Sequence, residues 1–263
     1  MNGEWKGKWA LVTGASAGIG KALAEELALG GANLVLTARR QDRLVSLAQK
    51  LRATYGIQTE TFVADLTQPS SAVEIFQFTQ GKGLRISLLV NNAGFGQYGE
   101  FHTVATDRLL EMVEVNCSAV VHLARLYLPE MVAKRSGDVL IVASTASFQA
   151  VPYISTYAAT KAFDLFLAEG LAEEMKPYGV RVCALCPGTT TSEFHELAGH
   201  PSASKGHEQS AETVARNGLK ALAAGKSYVI SGLQNYLGAH SQRMVPRRLV
   251  SRIAAKMFRP AGK

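Results

Sequence analysis

A chain of 263 residues, 47% of them hydrophobic, carries enough apolar surface to bury a sizeable core, and α/β folds of this length routinely form one domain. Charged residues interrupt every apolar stretch well before the ~18 residues a membrane span requires. Residues 1–8 run into a glycine-rich turn instead of a signal-peptide core, so the cytoplasm is the expected location. No repeat, low-complexity tract or shift in composition divides residues 1–263, and a single domain is expected.

In chain order, the first apolar run, Trp9-Ala10-Leu11-Val12, reads as a short strand. The turn Thr13-Gly14-Ala15-Ser16-Ala17-Gly18-Ile19-Gly20 follows and opens an amphipathic stretch from Lys21 to Leu29. Strand, tight turn and helix start in that order aim backbone N–H groups and the positive helix end at an anion. A pyrophosphate fits, with Gly14, Ser16, Gly18, Ile19 and Gly20 as its candidate contacts. The spacing is Gly-x-x-x-Gly-x-Gly, which differs from the standard dinucleotide fingerprint, and an ordinary glycine-rich turn is the competing reading.

Further strand candidates lie at 33–38, 59–64, 86–91, 138–144, 180–186 and 226–230, with helical patterns between neighbours. This alternation predicts a parallel, doubly wound α/β sheet of about seven strands with helices on both faces. Runs such as Leu34-Val35-Leu36-Thr37 lack polar alternation, as strands covered on both sides should. In such sheets ligands bind at the carboxyl ends of the strands, near the switch in strand order. Gly14, Ala38, Asp65, Asn91, Ser144 and Pro187 all fall at or just beyond those ends.

Tyr157 and Lys161 are four residues apart on a predicted helix, which puts phenol and ammonium on one face. The cation is expected to pull the tyrosine pKa down from about 10 toward working pH, giving an acid for a carbonyl oxygen. By chance such pairs merely decorate helix surfaces; Ser144, at the end of another strand run, argues for a site. Cys117, Cys183 and Cys186 cannot build a disulfide framework. Cys183 and Cys186 have redox spacing, but they fall within a strand run and read as packed thiols. The six histidines show no metal-binding pattern, so no metal is expected.

Together these pieces resemble the short-chain dehydrogenase/reductase family from about Lys8 to at least Phe194, and the wording around them is similar to bacterial NADP-dependent general reductases, with a ketoacyl-reductase flavour. The matching marks are Thr13-Gly-x-x-x-Gly-x-Gly20, Asp65, Asn91-Asn92-Ala93-Gly94, Asn116, Ser144, Tyr157-x-x-x-Lys161 and Pro187-Gly188, in family order. The resemblance implies Tyr157 as proton donor, Ser144 as hydrogen-bond partner of the same oxygen, and Lys161 as the group that tunes Tyr157 and grips ribose. It gives Asn116 a place in a water link to Lys161; a polar residue paired with a backbone carbonyl is the alternative. It places adenine at Asp65 and Leu66, ribose at Asn92, Ala93 and Gly94, and the nicotinamide amide at Pro187, Gly188 and Thr189 or Thr191, with spacing favouring Thr191. Turn capping by Asp65 and loop satisfaction by Asn91 and Asn92 are the plainer alternatives. By the same analogy the chain forms homodimers or homotetramers through the helices carrying Asn116 and Tyr157.

At the end of the second strand stands Ala38-Arg39-Arg40, where an NAD enzyme keeps a carboxylate for the ribose 2′-hydroxyl. Guanidinium forks suit a 2′-phosphate, so NADP(H) is the expected cofactor, with Arg39 the first candidate and Arg40 the second; two solvated arginines are the alternative. Residues 192–211 read as a mobile flap over the substrate, and Phe95, Phe148, Val151, Tyr153, Phe194 and Leu197 as an apolar wall or as plain core. That wall suits an apolar ketone, aldehyde or 3-oxoacyl substrate. From Arg243 to Lys263 there are seven cations and no acid, and Val245, Leu249, Ile253 and Met257 repeat every fourth residue. Residues 240–263 thus read as a basic helical tail whose stripe meets a membrane surface, another subunit or its own domain. No nucleic-acid reader motif accompanies the charge. The functional expectations are an NADP(H)-dependent carbonyl/alcohol oxidoreductase, a catalytically silent NADP-sensing regulator, or a peripheral membrane protein.

Overall fold

The structure is a computed structural model that describes residues 3–191, 193, 198–199 and 208–259. Seven strands form one parallel sheet in the order β3-β2-β1-β4-β5-β6-β7: β1 Trp9–Thr13, β2 Asn33–Ala38, β3 Thr59–Val63, β4 Ile86–Asn91, β5 Gly137–Val142, β6 Val180–Cys186 and β7 Tyr228–Ile230. Strand order reverses between β1 and β4, which pair directly through Val12 and Val90. A crevice therefore opens beyond their carboxyl ends, because the connections leaving the two strands run to opposite sides.

Alternation along each strand splits the core in two. Ala10, Val12, Leu34, Leu36, Leu88 and Val90 pack on one face, beneath α1 (Gly18–Leu29), α2 (Gln41–Tyr55) and α7 (Ala211–Ala223). Leu11, Val35, Leu89, Val139 and Ile141 pack on the other, with α3 (Ser71–Gly81), α5 (Ala119–Ala133) and α6 (Ser155–Met175). Each fully buried aliphatic side chain contributes about 1.5–3 kcal/mol, so covering both faces holds the strand ends in fixed register. The expected strands are found, with edges moved by one or two residues. β5 stops at Val142 because Ser144 leaves the ladder to accept a hydrogen bond from the Ala146 amide (3.1 Å), capping the short turn Thr145–Phe148.

α4 (Thr106–Val113) runs through a π-helical turn, Glu114–Ser118, into α5. At the end of the described chain, α8 (Leu233–Ser241) precedes α9 (Arg247–Phe258). Ala254 is the residue that α9 buries, and the Phe258 carbonyl accepts from the Tyr98 hydroxyl (2.8 Å). Leu249, Ile253 and Met257 of the stripe are exposed, while Val245 is half-buried. Among the described residues, no helix is long and apolar enough to cross a membrane.

Candidate active site

The glycine turn is built for close approach. Gly14 has φ +66°, and a Cβ there would lie 2.9 Å from the Ala93 backbone, while one at Gly20 would lie 2.3 Å from the Gly14 carbonyl oxygen. Only glycine lets the start of α1 press against the turn and the end of β4 in this way. Thr13 locks the junction: its hydroxyl donates to the Val90 carbonyl (3.2 Å) and accepts from the amides of Asn92 and Ala93 (2.9 Å each). The Asn92 side-chain amide donates to the Thr13 carbonyl (2.8 Å). Asn92 thus satisfies loop backbone, the plainer of its two readings. α1 begins at Gly18 with neither a side-chain cap nor an acid in its first turn, and Ile19 packs partly on the core. The orphan N–H groups of Gly18, Ile19 and Gly20 are therefore available to an anion.

Ser16 of the turn meets Arg40, whose Nη2 and Nε donate to its hydroxyl (3.2 and 3.3 Å). Arg40 also pairs with Glu193 (2.8 Å), and Arg43 holds the other oxygen of the same carboxylate (2.7 Å). The hydrogen bonds of Arg40 and then Arg43 hold the Glu193 carboxyl below its ordinary pKa. A carboxylate between two guanidinium groups beside the turn marks where a phosphate fits. Arg39, the first candidate from sequence, is exposed, and Arg40, the second, is the one that meets the glycine turn. Arg43, missed in the sequence, lies one helical turn along α2 on the same side.

Asp65 caps its turn, accepting from the Thr67 amide (3.1 Å), and Leu66 is buried in the core. Gly94 is exposed at the lip of the crevice, where a Cβ would stand 3.1 Å from Asn116 Oδ1 and 3.3 Å from Lys161 Nζ. Asn116, in the π turn, donates to the Phe95 carbonyl (3.0 Å) and Thr160 hydroxyl (3.0 Å) and accepts from the Phe95 amide (3.1 Å). It is paired to backbone, its plainer reading, and at the same time stands beside Lys161 across Gly94. The Pro187 carbonyl accepts from the Thr145 amide (2.9 Å), tying the loop after β6 to the Ser144 turn. Thr189 and Thr191 bracket a short parallel bridge with Gln209, and the Thr191 hydroxyl donates to Glu208 (3.3 Å). A Cβ on Gly188 would meet the Asn235 amide at 2.5 Å, so Asn235 backs this loop, a partner the sequence did not announce.

Ser144, Tyr157 and Lys161 converge. The Ser144 hydroxyl is hydrogen-bonded to the Tyr157 phenol, and Lys161 stands close enough to act on that phenol electrostatically. Ser147 fixes the approach: it accepts from the Ser144 amide (3.2 Å) and donates to the Lys161 carbonyl (2.6 Å), stapling the end of β5 to α6. Lys161 is buried, and its Nζ donates to the Val142 carbonyl (2.7 Å) and to Asp164 (2.9 Å). The expectation of a lowered tyrosine pKa is corrected here. Desolvation of the deep-set phenol pushes it above its ordinary value, outweighing Lys161 and Ser144, and Asp164 adds to the rise. Burial presses Lys161 toward neutrality, but Asp164 and Tyr157 more than offset this and leave its pKa raised.

Of the residues expected to wall the substrate, Tyr153 has φ +68°, a strained conformation for a residue with a Cβ, and its ring centroid lies 6.5 Å from that of Tyr98. The Tyr98 amide donates to the Ala198 carbonyl (2.9 Å), within the stretch 192–211 expected as a flap. Val151 is buried, Phe148 packs against Tyr228 and His240, and Phe95 lies under the Arg108 guanidinium (3.9 Å). Phe194, Leu197 and most of the expected flap lie outside the described residues. Cys183 and Cys186 are buried within β6, where burial pushes the Cys183 thiol up to about 12. Among the described residues, no group of three His, Cys, Asp or Glu side chains is placed to hold a metal ion.

The sequence model of the short chain dehydrogenase family matches residues 8–201. The chain is 37% identical over 187 residues to very-long-chain 3-oxoacyl-CoA reductase-A of Danio rerio, covering 69% of this chain and 57% of that protein. To the very-long-chain 3-oxoacyl-CoA reductase of Bos taurus it is 36% identical, covering 70% and 60% respectively. The matches thus span less than two thirds of these relatives' length. Among solved structures, a short-chain dehydrogenase from Sphingobium yanoikuyae in complex with NADPH superposes with a TM-score of 0.83 at 31% identity, over 93% of this chain and 95% of that one. A 7beta-hydroxysteroid dehydrogenase superposes with a TM-score of 0.87 at 29% identity, over 97% and 100%. The open helix start, the paired arginines holding an anionic group and the Gly94 lip fit NADP(H). The chain belongs to the short-chain dehydrogenase/reductase family.

Proposed function

We propose that the chain reduces the carbonyl of an apolar ketone, aldehyde or 3-oxoacyl thioester to an alcohol, and that the reaction runs at the crevice lined by Gly94, Ser144, Tyr157 and Lys161. The observation that carries this is the meeting of the Ser144 hydroxyl and Lys161 ammonium on one phenol beside the Gly94 lip. NADPH supplies the hydride that reaches the carbonyl carbon. Tyr157 gives its phenolic proton to the carbonyl oxygen as negative charge grows there, and Ser144 donates a hydrogen bond to the same oxygen. Carbon gains the hydride, oxygen gains the proton, and the phenolate left on Tyr157 is stabilised by Lys161 until solvent returns a proton. Arg40 with Ser16 and Arg43 takes the 2′-phosphate, and the α1 start takes the pyrophosphate.

The substrate class is supported by the named activity of the 3-oxoacyl-CoA reductase relatives and by the apolar character of Tyr98, Val151 and Tyr153, of which the two tyrosines pack together. With Ser144, Tyr157 and Lys161 all assembled, no observation favours a silent regulator. Exposed Val113, Val121, Phe163 and Phe166, on the helices flanking Asn116 and Tyr157, support a homo-oligomer formed through those helices. The test is NADPH oxidation across ketones, aldehydes and 3-oxoacyl thioesters of graded chain length. Turnover that improves with apolar chain length is expected; failure to oxidise NADPH with every member would overturn the proposal.

A further inference from the structure

The residue that the reaction as described leaves unused is Asp164. It lies one turn beyond Lys161 on α6, fully buried beside Leu165 and Ala168, and is paired with Lys161 through Oδ2 at 2.9 Å. Its other oxygen, Oδ1, is buried with no hydrogen-bond partner among the described protein atoms. Packing alone does not favour a carboxylate here. A buried ion pair is commonly no better for stability than apolar side chains of the same volume, whereas a buried charge stripped of its partner is strongly unfavourable. An acid at this point makes physical sense if Lys161 has to stay an ammonium.

The geometry around Nζ supports that. An ammonium has three donors; one goes to the Val142 carbonyl (2.7 Å) and one to Asp164. On a remaining side lies Gly94, where an added Cβ would stand only 3.3 Å from Nζ, at the exposed lip of the crevice. The other titratable groups acting on Lys161 are Tyr157 on its own helix and Cys117 from the π turn; Cys186, on β6, feels both Lys161 and Asp164. Burial holds the Cys117 thiol up at about 11 and Cys186 higher still, and it holds Tyr157 as the phenol, so near neutral pH all three are uncharged. Asp164 is the one counter-charge among them.

We infer that Asp164 is a positioning residue: it keeps Lys161 protonated in its buried site and turns the remaining ammonium donor toward the ribose side of the bound NADP(H). The inference rests on the cofactor reading above and goes beyond it. Without Asp164, desolvation of Lys161 is no longer balanced, and the lysine becomes a group that titrates within the working range.

The test is the dissociation constant of NADPH, followed by nicotinamide fluorescence from about pH 6 to 9.5, in the parent, Asp164→Asn and Asp164→Val. Asn keeps shape and an acceptor but removes the charge; Val removes both. The parent is expected to bind with little pH dependence, while both variants weaken as pH rises, by about tenfold or more across the range as one proton leaves Lys161. Parent-like binding at every pH would overturn the inference, and so would uniform, pH-independent weakening, which would assign Asp164 to structure alone. Failure of the parent itself to bind NADPH is a separate result that would remove the cofactor reading as well. The Lys161 Nζ resonance of the parent, assigned by its absence in Lys161→Met, gives a measurement independent of variant folding. It is expected to titrate above the ordinary lysine value of about 10.4, and titration below that value would overturn the inference.

Discussion

Replacing Arg40 by alanine separates the structure from the plainest reading of Ala38-Arg39-Arg40. Arg40 is anchored by Ser16 of the glycine turn and shares one carboxylate with Arg43, whereas Arg39 is exposed. A hydrogen bond between charged groups contributes about 1.5–3 kcal/mol. The Arg40 side chain is 38% exposed, so solvent screening favours the lower half of that range. About 1.5–2 kcal/mol corresponds to a loss of roughly 10–30-fold in NADPH efficiency. NADH has no 2′-phosphate, so its efficiency should stay within about twofold of the parent, and Arg39→Ala should move the NADPH/NADH ratio by less than about threefold. The assay is kcat/KM for each cofactor at saturating carbonyl substrate and fixed ionic strength. An unchanged ratio in Arg40→Ala, or the large loss appearing in Arg39→Ala instead, would refute the assignment.

Other expectations follow from the same crevice. Glu193 competes with phosphate for Arg40 and Arg43, and exposed ion pairs are weak. Glu193→Ala should therefore tighten NADPH binding by roughly 1.5–5-fold by titration, and weaker binding would contradict this role. In Gly20→Ala the new methyl would meet the Gly14 carbonyl at 2.3 Å; overpacking of this kind costs about 1–3 kcal/mol, read as a fall in Tm together with weaker NADPH binding, and a parent-like protein would contradict it. Burial raises the Tyr157 pKa above its ordinary 10. The phenol is then the acid form through neutral pH and is lost only as pH climbs past that raised value, so kcat/KM for reduction, which reports free enzyme, should show no loss from Tyr157 ionisation below about pH 10. A limb near pH 8 that disappears in Tyr157→Phe would contradict that.

The strands were legible because both faces of this sheet are covered: uninterrupted runs such as Leu34-Val35-Leu36 have one reading once glycine turns bound them. Ser144, Tyr157 and Lys161 were legible because two depend on helical spacing and the third stands where a strand ends. What escaped depends on contacts distant in sequence. Asn116 was legible as a family mark and as a side chain paired with a backbone carbonyl, but its particular partners, the Phe95 backbone and Thr160, are not encoded in any local pattern. Asn92 carries a family mark, yet its amide is committed to Thr13. Arg40 precedes α2 and Arg43 stands in its first turn, and their meeting on the carboxylate of the distant Glu193 is not encoded in any local pattern. The direction of the Tyr157 shift required the depth of the phenol and the charge of Asp164, and neither follows from a tyrosine and lysine four residues apart. Asp164 reads in sequence as an ordinary polar position of a long helix; only burial of both partners reveals the pair.

Tyr157→Phe removes the phenolic proton and leaves the ring, the glycine turn and the paired arginines in place. Single-turnover NADPH oxidation with a long-chain 3-oxoacyl thioester should slow by about 10²–10⁴-fold, while NADPH affinity stays within a few-fold of the parent. Reduction at near the parental rate, with NADPH bound normally, would show that the proton comes from another group.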